Sequence, residues 1–146
     1  MLNKLTLATV IGTILLSHSV CANDLTVGFS QIGSESGWRA AETSVAKSEA
    51  EKRGITLKIA DAQQKQENQI KAIRSFIAQG VDAIFLAPVV QTGWEPVLQE
   101  AKEAEIPVFL LDRNITVKDD SLFMTGVAAD SVHEGAVAAD WLIKTQ

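Results

Sequence analysis

The sequence is poor in the residues that most often carry out catalysis or hold metals. Its 146 residues contain one cysteine, Cys21, and two histidines, His18 and His133. His133 lies just inside a predicted helix, where we expect a structural or solvated side chain. Ser30 has no base near it in sequence, and no acidic residues cluster with histidine at the spacing of metal ligands. We therefore predict a protein that is not an enzyme, with no catalytic residues, no metal site and no cofactor.

Basic charge is also scarce. The formal net charge is -5, and no run of lysine or arginine occurs. Nucleic acids and anionic membranes attract basic patches, so we expect neither as a partner. The hydrophobic content of 47% and the charged content of 21% are typical of a globular protein, and the length suits one domain.

The apolar runs are short, and the most hydrophobic one lies at the N-terminus. Lys4 precedes the uncharged stretch "LTLATVIGTILL", and the small residues Val20 and Ala22 follow it at the spacing of a cleavage site. These are the three parts of a secretory signal peptide, and the run is too short to span a membrane. A lipid anchor on Cys21 is the alternative, but residues 18–20 lack the pattern that precedes such a cysteine. We predict a signal peptide over 1–22, cleavage after Ala22 and a location in the periplasm, since the remaining chain has no disulfide.

Strand and helix patterns alternate after this segment. Strands are predicted at 25–29, 55–59, 81–87, 107–111 and 122–127, and helices at 38–53, 65–79, 94–105 and from 131 onward. Short connections between them predict an α/β fold, a doubly wound parallel sheet with helices on both faces. The first helix is expected to face inward with five residues, Trp38, Ala41, Val45, Ala46 and Ala50.

Two signals for the start of the third helix disagree. Thr92 and Glu95 have the spacing of a capping box, whereas Pro96 suits the first helical turn. The boundary is therefore open by a few residues.

Polar residues follow the predicted strands, where open parallel sheets bind ligands. In "IPVFLLDRN", residues 106–114, Asp112 and Arg113 end an apolar strand. Opposite charges at such a position are costly unless they are paired or used. We predict that both lie in a ligand cleft. The alternative is that Asp112 caps the following turn and Arg113 is solvated.

The glycine-rich loop after the first strand does not predict phosphate binding. Gly28, Gly33 and Gly37 lack both the Walker-type lysine and the spacing of the dinucleotide fingerprint, and Glu35 would repel a phosphate. Trp38 in this region is either core or an aromatic beside the cleft. A carboxylate, a guanidinium and an aromatic ring together suit a sugar, because they serve its hydroxyls and its apolar C–H face.

Four segments resemble the sugar-binding periplasmic proteins of bacterial ABC transporters, the ribose/galactose type. They are "TVGFSQIGSESGWRAAETSVAKSEAEKRG", "QENQIKAIRSFIAQGVDAIFLAPV", "AKEAEIPVFLLDRN" and "VAADSVHEGAVAADWL", and "GFSQIGSESGWR" is most similar to galactofuranose-binding members. The resemblance covers residues 25–142. It implies a type I periplasmic binding protein with two lobes that close over one sugar, acting as the solute-binding component of a sugar importer. The implied partners are a monosaccharide and the permease and ATPase subunits in the membrane.

The resemblance also implies a set of ligand-binding residues. Asp112 and Arg113 match the sugar-binding pair of the family, and Trp38 matches its stacking aromatic. The weaker matches are Ser30, Glu35 and Arg39 in the first loop, and weaker still are Asp61 and Asp130.

Members of this family are longer than this chain. We therefore expect a fragment: a first lobe over 23–126 that is incomplete, and the truncated start of a second lobe over 127–146. Such a fragment is expected to bind sugar weakly or not at all. The alternatives are a receptor for a furanose-like signal and the effector domain of a sugar-responsive regulator, although the latter would carry a DNA-binding motif in place of the signal peptide.

Overall fold

The computed structural model describes residues 25–145, so the predicted signal peptide and its cleavage site lie outside the described residues. Strands and helices alternate as the sequence predicts, and the elements have the following bounds: β1 Thr26–Gln31, α1 Gly37–Arg53, β2 Thr56–Asp61, α2 Gln66–Ala78, β3 Ala83–Leu86, α3 Glu95–Glu103, β4 Val108–Leu111, a 3₁₀ turn Asp120–Leu122, β5 Thr125–Val127 and α4 Ser131–Thr145.

The five strands form one parallel sheet in the order β2-β1-β3-β4-β5. The chain moves outward from β1 to β2 and then returns to the other side of β1 for β3. The direction of winding thus reverses between β1 and β3. Loops that follow strands on either side of such a switch point diverge and leave a crevice at the carboxyl ends.

Helices cover both faces of the sheet, which confirms the predicted doubly wound α/β fold. Ile73 and Phe76 of α2 and Leu98 of α3 pack on one face, in the larger core cluster. Ala46 of α1 packs on the other face, against the buried Phe29.

Gly28 of β1 makes one of these contacts possible. A Cβ at Gly28 would lie 2.5 Å from ring carbons of Phe76, so any side chain here would force the Phe76 ring to shift.

The face that α1 turns inward differs from the predicted one. Ala46 and Ala50 face inward, but Ala41 is exposed, Trp38 is 65% exposed and Val45 is 62% exposed. The buried residue of the first turn is Arg39, only 3% exposed. The apolar stripe was misleading because an ion pair, described below, places the guanidinium of Arg39 against the sheet.

The start of α3 decides between the two predicted signals. Trp94 is the N-cap residue of α3, so the Pro96 signal was correct and the capping box at Thr92 was wrong. The Thr92 carbonyl instead accepts a hydrogen bond from Gln66 Nε2 at 2.7 Å.

No residue of α4 is buried. Among residues 25–145, no helix has the length and apolarity needed to cross a membrane.

Candidate functional site

An open cleft of about 800 Å³ lies at the carboxyl ends of β3, β4 and β5. Its walls come from residues 88–91 after β3, 112–114 after β4, and 126 and 128–132 around and after β5. Asp112, Arg113 and Asp130 of the predicted set line it. The sheet thus gathers its strand ends along one edge, as the sequence pattern indicated.

The backbone at Asp112 is held in a tight turn. Asp112 has φ +66°, a left-handed conformation that Asp tolerates better than most residues. The N–H of Arg113 donates to the carbonyl of Leu111 at 2.7 Å, and the N–H of Asp112 donates to the carbonyl of Val127 at 2.7 Å. The turn ends β4 abruptly and presents two consecutive charged side chains at the cleft. Such strain is common at ligand sites, where the surrounding structure must hold it in place.

The carboxylate of Asp112 is paired with Arg39. Arg39 Nη2 donates to Asp112 Oδ2 in a short, charge-assisted hydrogen bond. The side chain of Arg39 is 4% exposed, and that of Asp112 is 22% exposed. Asp112 accepts no backbone hydrogen bond from residues 25–145, so the structure gives no support to the alternative that it caps the next turn.

Arg39 contacts further carboxylates. Its Nη1 donates to Glu42 Oε2 at 2.8 Å, and its Nε lies 4.0 Å from Glu35 Oε1. Burial by itself lowers the pKa of Arg39, but the hydrogen bonds and negative charges of Asp112 and Glu42 outweigh it and raise the pKa. The guanidinium is therefore firmly charged, as a buried cation among acidic groups must be.

Sequence reasoning missed two members of this network, Glu42 and Gln31. Gln31 Nε2 donates to Glu42 Oε2 at 2.9 Å and to Thr43 Oγ1 at 3.2 Å. The N–H of Ile32 donates to Gln31 Oε1 at 2.8 Å, which fixes the amide. The spacing of Arg39 and Glu42, three residues apart on one helix, was the available signal for Glu42. Gln31 carried no comparable signal.

Arg113 and Trp38 remain accessible beside this network. The side chain of Arg113 is 54% exposed, with Nε 3.7 Å from Asp112 Oδ2 and Nη1 3.5 Å from the carbonyl of Val89. Trp38 lies next to Arg39 in the first turn of α1, with its side chain mostly in solvent. Arg113 lines the cleft, whereas Trp38, Arg39 and Glu35 are not among its lining residues.

The other predicted residues have local roles in the structure. Ser30 is fully buried on the sheet face that α2 covers, and its hydroxyl has no partner among the described residues. Asp61 Oδ1 accepts from the N–H of Gln63 at 2.8 Å, and Asp130 Oδ1 accepts from the N–H of His133 at 3.0 Å at the start of α4. Ser30 and Asp61 therefore lie outside the cleft wall, because burial holds one and a local turn holds the other. Within residues 25–145 no group of three or more His, Cys, Asp or Glu is placed to hold a metal ion.

Known proteins are similar to this chain over most of its length. The chain is 77% identical over 129 residues to the galactofuranose-binding protein YtfQ of Escherichia coli (strain K12), covering 88% of this chain and 41% of that one. A crystal structure of a galactofuranose-binding protein superposes with a TM-score of 0.81 at 80% identity, covering 83% of this chain and 41% of the other. The binding protein of an arabinose ABC transporter from Shewanella sp. ANA-3, bound to arabinofuranose, gives 0.80 at 66% identity, covering 82% and 40%.

The chain thus spans about two fifths of the length of these relatives. Residues 27–146 match the family described as the periplasmic binding protein domain. This match includes every strand end that forms the cleft and all but the first residue of the sheet. The chain therefore belongs to the periplasmic binding protein family.

Proposed function

We propose that this chain forms one wall of a furanose-binding site in the solute receptor of an ABC-type sugar importer. The observation that carries the proposal is the placement of Asp112 and Arg113 in the cleft. The fold is shared with a protein named as galactofuranose-binding and with one described as bound to arabinofuranose. The carboxylate accepts hydrogen bonds from hydroxyls, and the guanidinium donates to sugar oxygens. The exposed ring of Trp38 offers an apolar face for sugar C–H groups. The site binds its sugar without transforming it.

The lobes of such a receptor map onto the chain as follows. The sheet continues through Val127, one residue beyond the predicted boundary at 126, so we assign residues 25–127 to the first lobe. We assign α4, with its fully exposed surface, to the start of the second. A cleft with one wall leaves much of a bound sugar in water. We therefore expect the 146-residue chain by itself to bind sugar with a millimolar rather than a micromolar dissociation constant.

Export is the second part of the proposal. We propose that residues 1–22 direct the chain to the periplasm and are removed after Ala22. Mass spectrometry of the exported protein should then give an N-terminus at Asn23. A mature N-terminus on a lipid-modified Cys21 would refute the cleavage site.

The test of sugar binding is an NMR titration of the ¹⁵N-labelled chain with L-arabinose, which contains the furanose as a minor form. We expect shifts of the amide signals of Asp112 and Arg113 that saturate when the furanose form reaches millimolar concentration, which requires a higher total concentration of L-arabinose. Asp112→Ala should remove them. The control is Asp120→Ala, which removes an exposed carboxylate at the amino end of β5. Unchanged affinity in Asp112→Ala would refute the assignment of Asp112 to the sugar site. Micromolar affinity of the wild-type chain would refute the proposal that this chain forms only one wall of that site.

A further inference from the structure

Arg39 and Asp112 are joined by one hydrogen bond, although a guanidinium and a carboxylate can form two. A guanidinium and a carboxylate often pair through two parallel hydrogen bonds, which occupy both carboxylate oxygens. Here only Nη2 of Arg39 reaches Asp112, and it reaches only Oδ2. Among the described residues no donor bonds to Oδ1, although the side chain is only 22% exposed.

The reason lies on the other side of Arg39. Two nitrogens could complete a two-bond pair with Nη2, and both face other carboxylates. Nη1 donates to Glu42 Oε2 at 2.8 Å, and Nε lies 4.0 Å from Glu35 Oε1. Glu42 is itself mostly buried, with an exposed side-chain fraction of 18%. The same oxygen accepts from Gln31 Nε2 at 2.9 Å, and Gln31 is 2% exposed. Gln31 of β1 thus holds the Glu42 carboxylate in place, and that carboxylate binds the Nη1 group of Arg39.

We propose that Glu42 is a positioning residue of the sugar site, which keeps the Arg39–Asp112 contact single so that Asp112 Oδ1 stays available to a sugar hydroxyl. The inference rests on the proposed function for the identity of the ligand, but its geometric part stands without it. Glu42 acts through Arg39 and is assigned no contact with the sugar. Gln31 supports it by fixing the carboxylate in place.

The variant that tests this is Glu42→Gln. The neutral amide holds Nη1 of Arg39 less strongly, because it lacks the charge that makes the present hydrogen bond strong. We expect Arg39 to turn both Nη groups toward Asp112. The matched control is Glu49→Gln, which removes a carboxylate two turns along α1 that pairs with the exposed Lys52 and Arg53.

Two readouts are needed. A crystal structure of Glu42→Gln should show both oxygens of Asp112 bonded to Arg39. The affinity for L-arabinose in the NMR titration should fall about tenfold, the effect expected for one hydrogen bond to a charged acceptor. Glu49→Gln should change none of these.

The outcomes separate the two ideas. A single Arg39–Asp112 contact in the crystal structure of Glu42→Gln, or an Arg39 displaced from Asp112, overturns the inference. So does a two-bond pair with unchanged sugar affinity. If the wild-type chain shows no shifts with L-arabinose, the proposed function is refuted, while the geometry in the crystal still decides how Glu42 acts on Arg39.

Discussion

Replacing Arg39 by methionine should be among the most destabilising single changes in residues 25–127. Methionine keeps most of the apolar stem but removes the cation that lies among Asp112, Glu42 and Glu35. Removing one partner of a fully buried ion pair costs about 3–5 kcal/mol, because the other charge is left unpaired. Asp112 and Glu42 retain exposed fractions of 22% and 18%, so water can reach them in part. We therefore expect a loss of about 2–3 kcal/mol in the free energy of unfolding.

The measurement is urea unfolding followed by circular dichroism, with a similar slope in all variants. The control is Arg53→Met at the end of α1, where the side chain is 68% exposed in its pair with Glu49. That change should cost at most about 0.5 kcal/mol. Adding Asp112→Asn to Arg39→Met should cost less than the sum of the single changes, since the unpaired charge is then gone. Equal stabilities of Arg39→Met and Arg53→Met would refute the view that the Arg39 network holds the cleft wall together.

Three further predictions concern packing, pH and the exposed aromatic. Gly28→Ala should destabilise the chain by about 2–3 kcal/mol because its methyl would meet Phe76, while Gly37→Ala, which meets nothing within 4 Å, should be neutral or stabilising in the same urea assay. The hydrogen bond from Arg74 lowers the pKa of Glu100 in the folded chain, so its stabilisation is complete at neutral pH and is lost as the pH falls through that lowered value. Unfolding of Arg74→Met should therefore depend less steeply on acid below about pH 4.3, and an unchanged acid profile would contradict this. Trp38→Ala should weaken L-arabinose shifts without moving the urea midpoint, because the ring is 65% exposed, and a large midpoint shift would indicate a core role instead.

The fold could be predicted because its signals are local and repeated. The strand at 108–111 is apolar throughout, as expected for a strand covered on both faces, and Gly54, with φ +65°, ends α1 in the way that glycine commonly ends helices. The ends of elements were less certain where two signals competed. At α3 the proline, which cannot donate a hydrogen bond, agreed with the observed start, whereas the capping-box spacing did not.

The site could be predicted in part for the same reason. Strand order puts Asp112 and Arg113 at the cleft, and this follows from any parallel sheet. The partner of Asp112 could not be found in this way, since Arg39 lies 73 positions earlier in the chain. Periodicity favoured Val45 over Arg39 as an inward residue, because it measures apolarity and is blind to a distant charge.

The central claim is that Asp112 and Arg113 grip a furanose at the strand ends. It is tested most directly by a crystal structure of the chain grown with saturating L-arabinose. We predict a five-membered ring in the cleft, with one hydroxyl within hydrogen-bond distance of Asp112 Oδ1 and another oxygen within hydrogen-bond distance of the Arg113 guanidinium. A six-membered ring in that place, or sugar bound only elsewhere on the surface, would contradict it.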